Sequence, residues 1–305
     1  MVFRSMSAVS AGIAAVVIAS GGVTAADPNI QLPGVVDDGI TNCGALSPRA
    51  VAGWIGSDYQ LPSRTMDETF GVAPDRDWCT TDVGFSTLRF GAEGATFGVP
   101  ATVDGIFPYN NAELVARPTF EAGQTMTMNI SGAPDMVDHN GTTGWGVSNR
   151  LIDPRALIDL EIAWFMYNGS HGPVGAASDV LAPVANLLGA DMPHGFFLMV
   201  KRAGTLVPQI KLIDDKVLAG DHAYAVRLGT EYVDFFIDGE NVGSFRNPPT
   251  GAATDLLGLK APLAGQVWLD GSYWFPLPIP EYNAAPQALT VTRYRQGPTA
   301  DTPLR

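Results

Sequence analysis

The stretch that decides the fold runs from His222 to Phe245 and reads HAYAVRLGTEYVDFFIDGENVGSF. Two runs of strand-forming residues, His222 to Leu228 and Tyr232 to Ile237, are separated by a short polar turn. The second run ends at Asp238-Gly239, and Asp-Gly favours the type I′ turn of a tight hairpin. A further strand is therefore predicted from Asn241 to Phe245.

Short segments of the same kind occur on both sides of this hairpin. They have the length of strands and run from Gly84 to Phe90, Glu113 to Val115, Gln124 to Ile130, Trp145 to Ser148, Leu157 to Tyr167, Phe196 to Arg202, Leu206 to Leu212, Gln266 to Leu269 and Leu289 to Tyr294. With 46% hydrophobic residues, 34 Gly and 23 Pro, the chain can bury a large core but must turn often. The composition and these segments therefore predict an all-β chain of many short strands. The one helical pattern, Asp179 to Leu188, predicts a short helical insertion.

The N-terminus has the order and size of a signal peptide. Arg4 precedes an apolar run from Ala8 to Val23, and Val23-Thr24-Ala25 is a small-residue cleavage site. The alternative is a membrane anchor, but Ser and Gly interrupt the run, which falls short of about 20 strongly apolar residues. We expect residues 1–25 to be removed, the mature protein to be secreted, and no membrane span to remain.

The mature chain is expected to form one domain in three parts. These are an N-terminal wrapping segment at 26–80, a β-jelly-roll core at 81–296 and a C-terminal tail at 297–305. The only cysteines, Cys43 and Cys79, favour a disulfide that pins the wrapping segment, because an exported chain meets oxidising conditions.

Charge and histidine spacing exclude several kinds of partner. Acidic residues outnumber Lys and Arg by 31 to 18, which makes nucleic acid and anionic membrane surfaces poor partners. The four histidines, His139, His171, His194 and His222, show no metal-ligand spacing, so neither a metal site nor a cofactor is expected.

The hairpin resembles the pattern HxYxIxWxxxxIxFYVDGxxVG of family 16 glycoside hydrolases and related concanavalin A-like proteins. Three other pieces occur in the order that this fold requires. Asn111 to Gly123 resembles the family's strand pair sGxixTkxxFxyG, Gln266 to Trp274 resembles xLNLWxGGxW, and Gln287 to Gln296 resembles the closing strand xVDYVRVYQ. The resemblance spans roughly Asp67 to Gln296. It implies an all-β, two-sheet antiparallel β-sandwich, the concanavalin A-like jelly roll.

The segment LIDLEI at 157–162 stands where the family carries Glu-x-Asp-x-Glu. Because side chains alternate along a strand, Leu157, Asp159 and Glu161 are expected on one open face and the three Ile and Leu residues between and after them in the opposite layer. The resemblance gives Glu161 the role of general acid/base and Asp159 a supporting role. The nucleophile position is Leu157, which cannot attack a sugar, so the step that forms a glycosyl-enzyme is missing.

Other readings of these acids stay open. Asp159 and Glu161 could instead bond to strand ends, loops or Arg155. Asp153, Glu113 and Glu121 are further carboxylates that could replace the missing one, although none has motif support.

Aromatic residues supply the candidates for ligand contact, because their rings stack on the apolar faces of sugars. Trp145, flanked by two glycines, and the pair Tyr273-Trp274 are the candidate ligand-binding residues. Trp164 has the parity of Ile162 and is expected in the core.

The sequence thus predicts a secreted concanavalin A-like protein that recognises a polysaccharide or oligosaccharide in a cleft, with an incomplete catalytic motif. One alternative is an active glycoside hydrolase that uses Glu161 with a carboxylate from another strand. Another is a non-glycan enzyme or structural protein on the same scaffold, because fold does not determine function.

Overall fold

A computed structural model describes residues 61–74, 77–101, 110–133, 138–149, 161–169, 193–202, 207–246, 263–274, 278–280 and 282–305, with the backbone alone at 81, 83, 272–274 and 278–280. The described residues form seventeen strands and one 3-10 helix, Asp215–Leu218. The strands are β1 Met66–Glu68, β2 Trp78–Val83, β3 Thr87–Gly91, β4 Gly94–Val99, β5 Asn111–Phe120, β6 Gln124–Ser131, β7 Thr142–Ser148, β8 Ile162–Asn168, β9 Gly195–Lys201, β10 Gln209–Ile213, β11 His222–Leu228, β12 Tyr232–Ile237, β13 Glu240–Arg246, β14 Leu263–Asp270, β15 Ser272–Trp274, β16 Pro278–Pro280 and β17 Gln287–Pro298.

Two large antiparallel sheets pack face to face. The eight-stranded sheet has the order β13-β12-β11-β6-β17-β4-β3, with β1 also paired to β17. The seven-stranded sheet has the order β10-β9-β8-β7-β14-β5-β2, and β15 and β16 form a small separate pair. The predicted fold class, an all-β two-sheet antiparallel jelly roll, is confirmed.

The main core lies between the two sheets and is rich in aromatic rings. Trp145 of β7 is fully buried there, with its ring centroid 4.8 Å from that of Tyr224 on β11 in the opposite sheet. Phe165 of β8 meets Phe235 of β12 edge to face at 5.1 Å. Because each fully buried ring removes a large apolar area from water, these inter-sheet contacts are major contributors to stability.

The hairpin predicted from His222 to Phe245 is confirmed. β11, β12 and β13 are adjacent antiparallel strands, and a turn at Asp238-Gly239 connects the last two. Asp238 has φ +52° and Gly239 has φ +86°, the two positive values that a type I′ turn needs. A bulge between Phe235 and Phe236 shifts the register of β12 against β13.

The C-terminal residues cross the outer side of the eight-stranded sheet. Thr127 Oγ1 donates to the carbonyl of Pro303 at 2.7 Å, and Thr125 Oγ1 contacts Thr299 Oγ1 at 3.1 Å. The side chain of Arg305 lies beside Gly239. This segment therefore lies over β6 and extends to the β12–β13 turn.

Several predictions lie outside the described residues. These are the signal peptide, Cys43 and most of the wrapping segment, Leu157 and Asp159, and the helical insertion at Asp179 to Leu188. Cys79 is described on β2, where it is buried against Val115 and Ala264, but its disulfide with Cys43 stays a prediction. Within the described ranges, no helix has the length and apolar character needed to cross a bilayer.

Candidate functional site

The outer face of the seven-stranded sheet, the one turned away from the eight-stranded sheet, is identified by strand pairing. Residues directly opposite each other on paired strands share a face. One row across this face contains Val115, Gln266, Gly146, Trp164 and Met199, and the next contains Glu113, Trp268, Gly144, Met166 and Phe197. The alternate residues of β8, namely Ala163, Phe165 and Tyr167, belong to the core between the sheets.

The layers predicted for the segment around Glu161 are therefore reversed. Ile162 and Trp164 do share a face, but that face is the outer one, where they pack with Met166, Phe197, Met199 and Trp268. The prediction that Trp164 lies in the core between the sheets is wrong. Glu161, one residue before β8, has the parity of Ala163 and Phe165, which point toward the opposite sheet.

Glu161 is held in a closed, polar arrangement at the start of β8. Its side chain is 3% exposed and forms an ion pair with the guanidinium of Arg202, which is 10% exposed. The backbone N–H of Glu161 donates to Asn149 Oδ1, and the N–H of Asn149 donates to the carbonyl of Glu161, both at 3.0 Å. These contacts tie the end of β7 to the start of β8 and leave Glu161 buried rather than facing a cleft.

The predicted ligand-binding residues are not brought together in the way that the sequence indicated. Trp145 is fully buried between the sheets, so the prediction that it lies at the rim of a ligand site is contradicted by its burial. Tyr273 and Trp274 lie on β15, which pairs with β16. Their role as ligand contacts stays a prediction, as does the supporting role of Asp159.

A tryptophan pair lies on the outer face instead. The rings of Trp164 and Trp268 meet at a centroid distance of 4.7 Å and an interplanar angle of 59°. Trp164 is partly exposed, whereas Trp268 is 5% exposed. Trp268 Nε1 donates to Thr142 Oγ1 at 3.3 Å, which fixes the orientation of its indole across β7.

The two glycines of β7 allow close approaches on this sheet. A Cβ on Gly144 would lie 2.7 Å from Cζ2 of Trp268 and equally close to the carbonyl oxygen of Phe165. A Cβ on Gly146, which has φ +152°, would overlap the backbone carbonyl of Ala163 on the neighbouring strand β8. Gly144 therefore serves the packing of Trp268, Gly146 allows the close approach of β8, and neither exposes Trp145.

Polar residues border the tryptophan pair on the β14 and β5 side. Glu113, 1% exposed, accepts a hydrogen bond at 2.8 Å from Nε2 of Gln266, which is 4% exposed. Asp270 lies on the same face one cross-strand pair further along, and Thr142 Oγ1 lies 3.5 Å from its Oδ2. The β5 and β14 half of the outer face therefore contains hydrogen-bond acceptors and one side-chain amide, whereas the β8 and β9 half is apolar.

His139 lies beside this polar border, just before β7, and is fully buried. Burial lowers its pKa to about 4, because a charged imidazolium would lose its hydration there. Backbone groups of Thr142 and Asp270 and the side chain of Asn283 offset only part of that effect. His139 is therefore neutral at physiological pH.

Sequence reasoning missed Trp268 and Gln266 as outer-face residues. Both lie in the strand Gln266 to Trp274 that the resemblance singled out, so the signal was present. Only the pairing of β14 with β5 and β7 shows which of its side chains point outward.

Comparisons with known proteins give only distant structural matches. No family model matches the chain, and no curated protein matches its sequence. Among solved structures, an apo Crh5 transglycosylase aligns at 15% identity over 79% of this chain and 86% of its own, with a TM-score of 0.45. A Bacillus licheniformis β-glucanase aligns at 12% identity over 76% and 97%, with a TM-score of 0.49. A laminarinase from Flavobacterium sp. UMI-01 aligns at 14% identity over 76% and 98%, with a TM-score of 0.44. At these identities and scores, the site has to be argued from this chain's own residues.

Proposed function

We propose that this protein is a secreted concanavalin A-like carbohydrate-binding protein without retaining glycosidase activity. The observation that carries the proposal is the Trp164–Trp268 pair on the outer face of the seven-stranded sheet. Indole rings stack on the apolar faces of sugars, and the partly exposed Trp164 offers such a ring beside polar groups of Gln266 and Glu113. Aromatic stacking with a few placed polar groups is the chemistry that recognises a glycan.

The residues of β8 argue for binding and against hydrolysis. Its outer-face positions hold Ile162, Trp164, Met166 and Asn168, which supply no carboxylate. Retaining hydrolysis needs two carboxylates about 5–5.5 Å apart on either side of the scissile bond. Glu161, to which the family resemblance assigns the acid/base role, is engaged with Arg202 and points to the other layer.

Binding of neutral β-glucan oligosaccharides tests the proposal directly. We expect laminarihexaose or cellohexaose to bind the purified protein in isothermal titration calorimetry, and Trp164→Ala to reduce the affinity at least tenfold. Tyr232→Ala is the matched control, because Tyr232 is 49% exposed on the other sheet. Absence of binding to both sugars, or undiminished binding by Trp164→Ala, would refute the proposal.

A glycoside hydrolase acting on the same face is the second candidate. It is favoured by one observation, the buried carboxylate of Glu113 next to Trp268. Release of reducing ends from β-glucan that is lost in Glu113→Gln but kept in Glu161→Gln would replace the binding proposal with this one.

A further inference from the structure

Three apolar side chains on the outer face form a buried cluster that, among the described residues, has no member from a second layer. Cys79 on β2, Val115 on β5 and Ala264 on β14 are 6%, 2% and 1% exposed. All three strands belong to the seven-stranded sheet. Neighbouring side chains on one face of a sheet touch at their flanks and leave their tips open, so burial this deep requires a covering layer.

The polar residues beside this cluster are buried to the same degree. Glu113 and Gln266, which are 1% and 4% exposed, point outward from β5 and β14. At the other end of the same face, Leu212 of β10 is 62% exposed. The covering layer is therefore confined to one part of the face, which includes the β5 and β14 half and does not extend to Leu212.

Two anchors bring the chain's own N-terminal segment to this part of the face. Leu61, the first described residue, donates its N–H to the carbonyl of Arg117 at 2.9 Å and accepts from the N–H of Thr119 at 3.0 Å, so it lies beside β5. Cys79 also lies beside β5, and its side chain points to the outer face. Cys43 is the one other cysteine of the chain. In the predicted disulfide, the Cα of Cys43 lies about 5.5–6 Å from that of Cys79, which brings Cys43 to the outer face as well.

The segment between the two anchors, residues 44–60, has the length and composition of a covering layer. It reads GALSPRAVAGWIGSDYQ and contains two charged residues among seventeen. Its anchors are about 10 Å apart along β5, since Leu61 is level with Pro118 and Cys79 with Val115. Seventeen extended residues span up to about 60 Å, whereas β2 and β14 are about 10 Å apart. The segment is therefore long enough to cross to β14 and return to Leu61.

We propose that residues 44–60 dock on the β5 and β14 half of the outer face and exclude ligands from it while the Cys43–Cys79 disulfide is intact. This inference rests on the proposed function and on the predicted disulfide, and it states how access to the site is controlled. A sugar bound to the disulfide-linked protein contacts the Trp164 side of the face alone. Release of the segment exposes Glu113 and Gln266 and extends the site across the sheet.

Nuclear Overhauser effects in the mature, disulfide-linked protein test the docking. We expect the methyl groups of Val115 and Ala264, assigned by their absence in Val115→Ala and Ala264→Ser, to show contacts to protons of residues 44–60. The methyl groups of Leu212 are the control and are expected to show none, because Leu212 is exposed at the other end of the face. If Val115 and Ala264 show contacts only to other segments, or to none, the docking is wrong.

A titration with laminarihexaose tests the exclusion of ligand. The side-chain amide resonance of Gln266, assigned by its absence in Gln266→Met, is expected to stay in place in the wild-type protein and to move in the double variant Cys43→Ser/Cys79→Ser. The indole N–H resonance of Trp164 is expected to move in both proteins. A Gln266 resonance that moves in both proteins or in neither, while that of Trp164 responds, overturns the exclusion. Melting curves show whether the double variant folds, and the Overhauser measurement does not depend on it.

The failures of the two proposals are distinguishable. If the Trp164 resonance responds to the sugar but the contacts to residues 44–60 are absent, the docking fails and carbohydrate binding stands. If neither laminarihexaose nor cellohexaose moves any resonance of either protein, the proposed function fails and the exclusion of ligand fails with it. The Overhauser contacts still decide the docking in that case.

Discussion

The carboxylate of Glu161 forms an ion pair with the guanidinium of Arg202, and both side chains are buried at the end of the sandwich. The family resemblance would make Glu161 a proton donor facing a sugar. Glu161 lies one residue before β8, so its side chain is on the same face as Ala163 and Phe165, which pack in the core between the sheets. Two hydrogen bonds between the backbone of Glu161 and Asn149 fix this position. The pair therefore acts as a structural connection between the ends of β7, β8 and β9.

Removing Glu161 should consequently affect stability rather than ligand binding. Glu161→Ala leaves the Arg202 guanidinium buried without its counter-charge, and we expect the free energy of unfolding to fall by about 3–5 kcal/mol. Asp67→Ala is the matched control, since Asp67 and its partner Arg293 are each about half exposed, at 50% and 45%, and loss of such a pair costs about 0–1 kcal/mol. Urea unfolding measures both. Equal losses in the free energy of unfolding would show that the buried ion pair contributes no more to stability than the exposed one.

The turn between β12 and β13 gives a second stability prediction. Gly239 has φ +86°, a conformation that a β-branched side chain resists. We expect Gly239→Val to lower the free energy of unfolding by about 1–2 kcal/mol. Gly91→Val is the control, because Gly91 has no positive φ and nothing lies within 4 Å of the position that a Cβ would take there. A smaller loss in Gly239→Val than in Gly91→Val would contradict the turn assignment.

Burial of His139 predicts a loss of stability in mild acid. Its pKa falls from 6.5 to about 4 on folding, so between these values the unfolded chain binds a proton that the folded chain does not. Stability is therefore lost as the pH falls from about 6.5 to 4, by up to about 3 kcal/mol from this group. NMR titration of the His139 ring checks the cause. A midpoint near 6.5 in the folded protein would contradict the prediction.

The strands were predictable from sequence because their signal is local. The His222 to Phe245 hairpin has alternating residues and an Asp-Gly turn that few other conformations accommodate, and it forms as expected. The layer to which each face of β8 belongs was not predictable in this way. Ile162, Trp164 and Met166 on one face are as apolar as Ala163, Phe165 and Tyr167 on the other, so periodicity gives no direction.

The pairing of β8 with distant strands determines which of its faces lies in the core, which the periodicity of its sequence does not. β8 lies between β7 and β9, and the side of the sheet that meets Tyr224 and Phe235 of the opposite sheet becomes the core. The glycines beside Trp145 were misleading for a related reason. From the sequence, two flanking glycines predict an exposed Trp145. In the structure, Gly144 instead provides space for Trp268, a residue more than a hundred positions away in the chain.

His222 provides a pH dependence of opposite sign. Its Nδ1 lies 2.7 Å from Asp238 Oδ2 and its Nε2 lies 2.9 Å from the carbonyl of Ala219, so only the protonated ring can donate to both. Burial lowers the pKa of His222, but these two acceptors and Asp221 outweigh it and the net shift is upward. The stability from this contact is present below pH 6.5 and is lost as the pH rises through the folded pKa.

Asp238→Asn tests that contact with little effect on the turn, because Asn tolerates the φ of +52° that Asp238 adopts. We expect the NMR titration midpoint of His222 to lie above 6.5 in the wild-type protein and to fall in Asp238→Asn. An unchanged midpoint would show that Asp238 does not hold the proton on His222.

The last prediction connects packing to the candidate site. In Gly144→Ala the added methyl group would overlap the ring of Trp268, which must then move away from Trp164 and from Thr142 Oγ1. The carbonyl of Phe165 is equally close to the added methyl group, but it belongs to the backbone of β8, which is held by its strand pairing. We therefore expect the indole of Trp268 to be the group that shifts. We expect altered near-ultraviolet circular dichroism, a moved Trp268 indole N–H resonance and weaker binding of laminarihexaose, together with a loss of about 1–3 kcal/mol in stability. Gly71→Ala is the control, since nothing lies within 4 Å of the position that its Cβ would take. Normal sugar binding with a displaced Trp268 resonance would show that the geometry of the tryptophan pair is not what the ligand recognises.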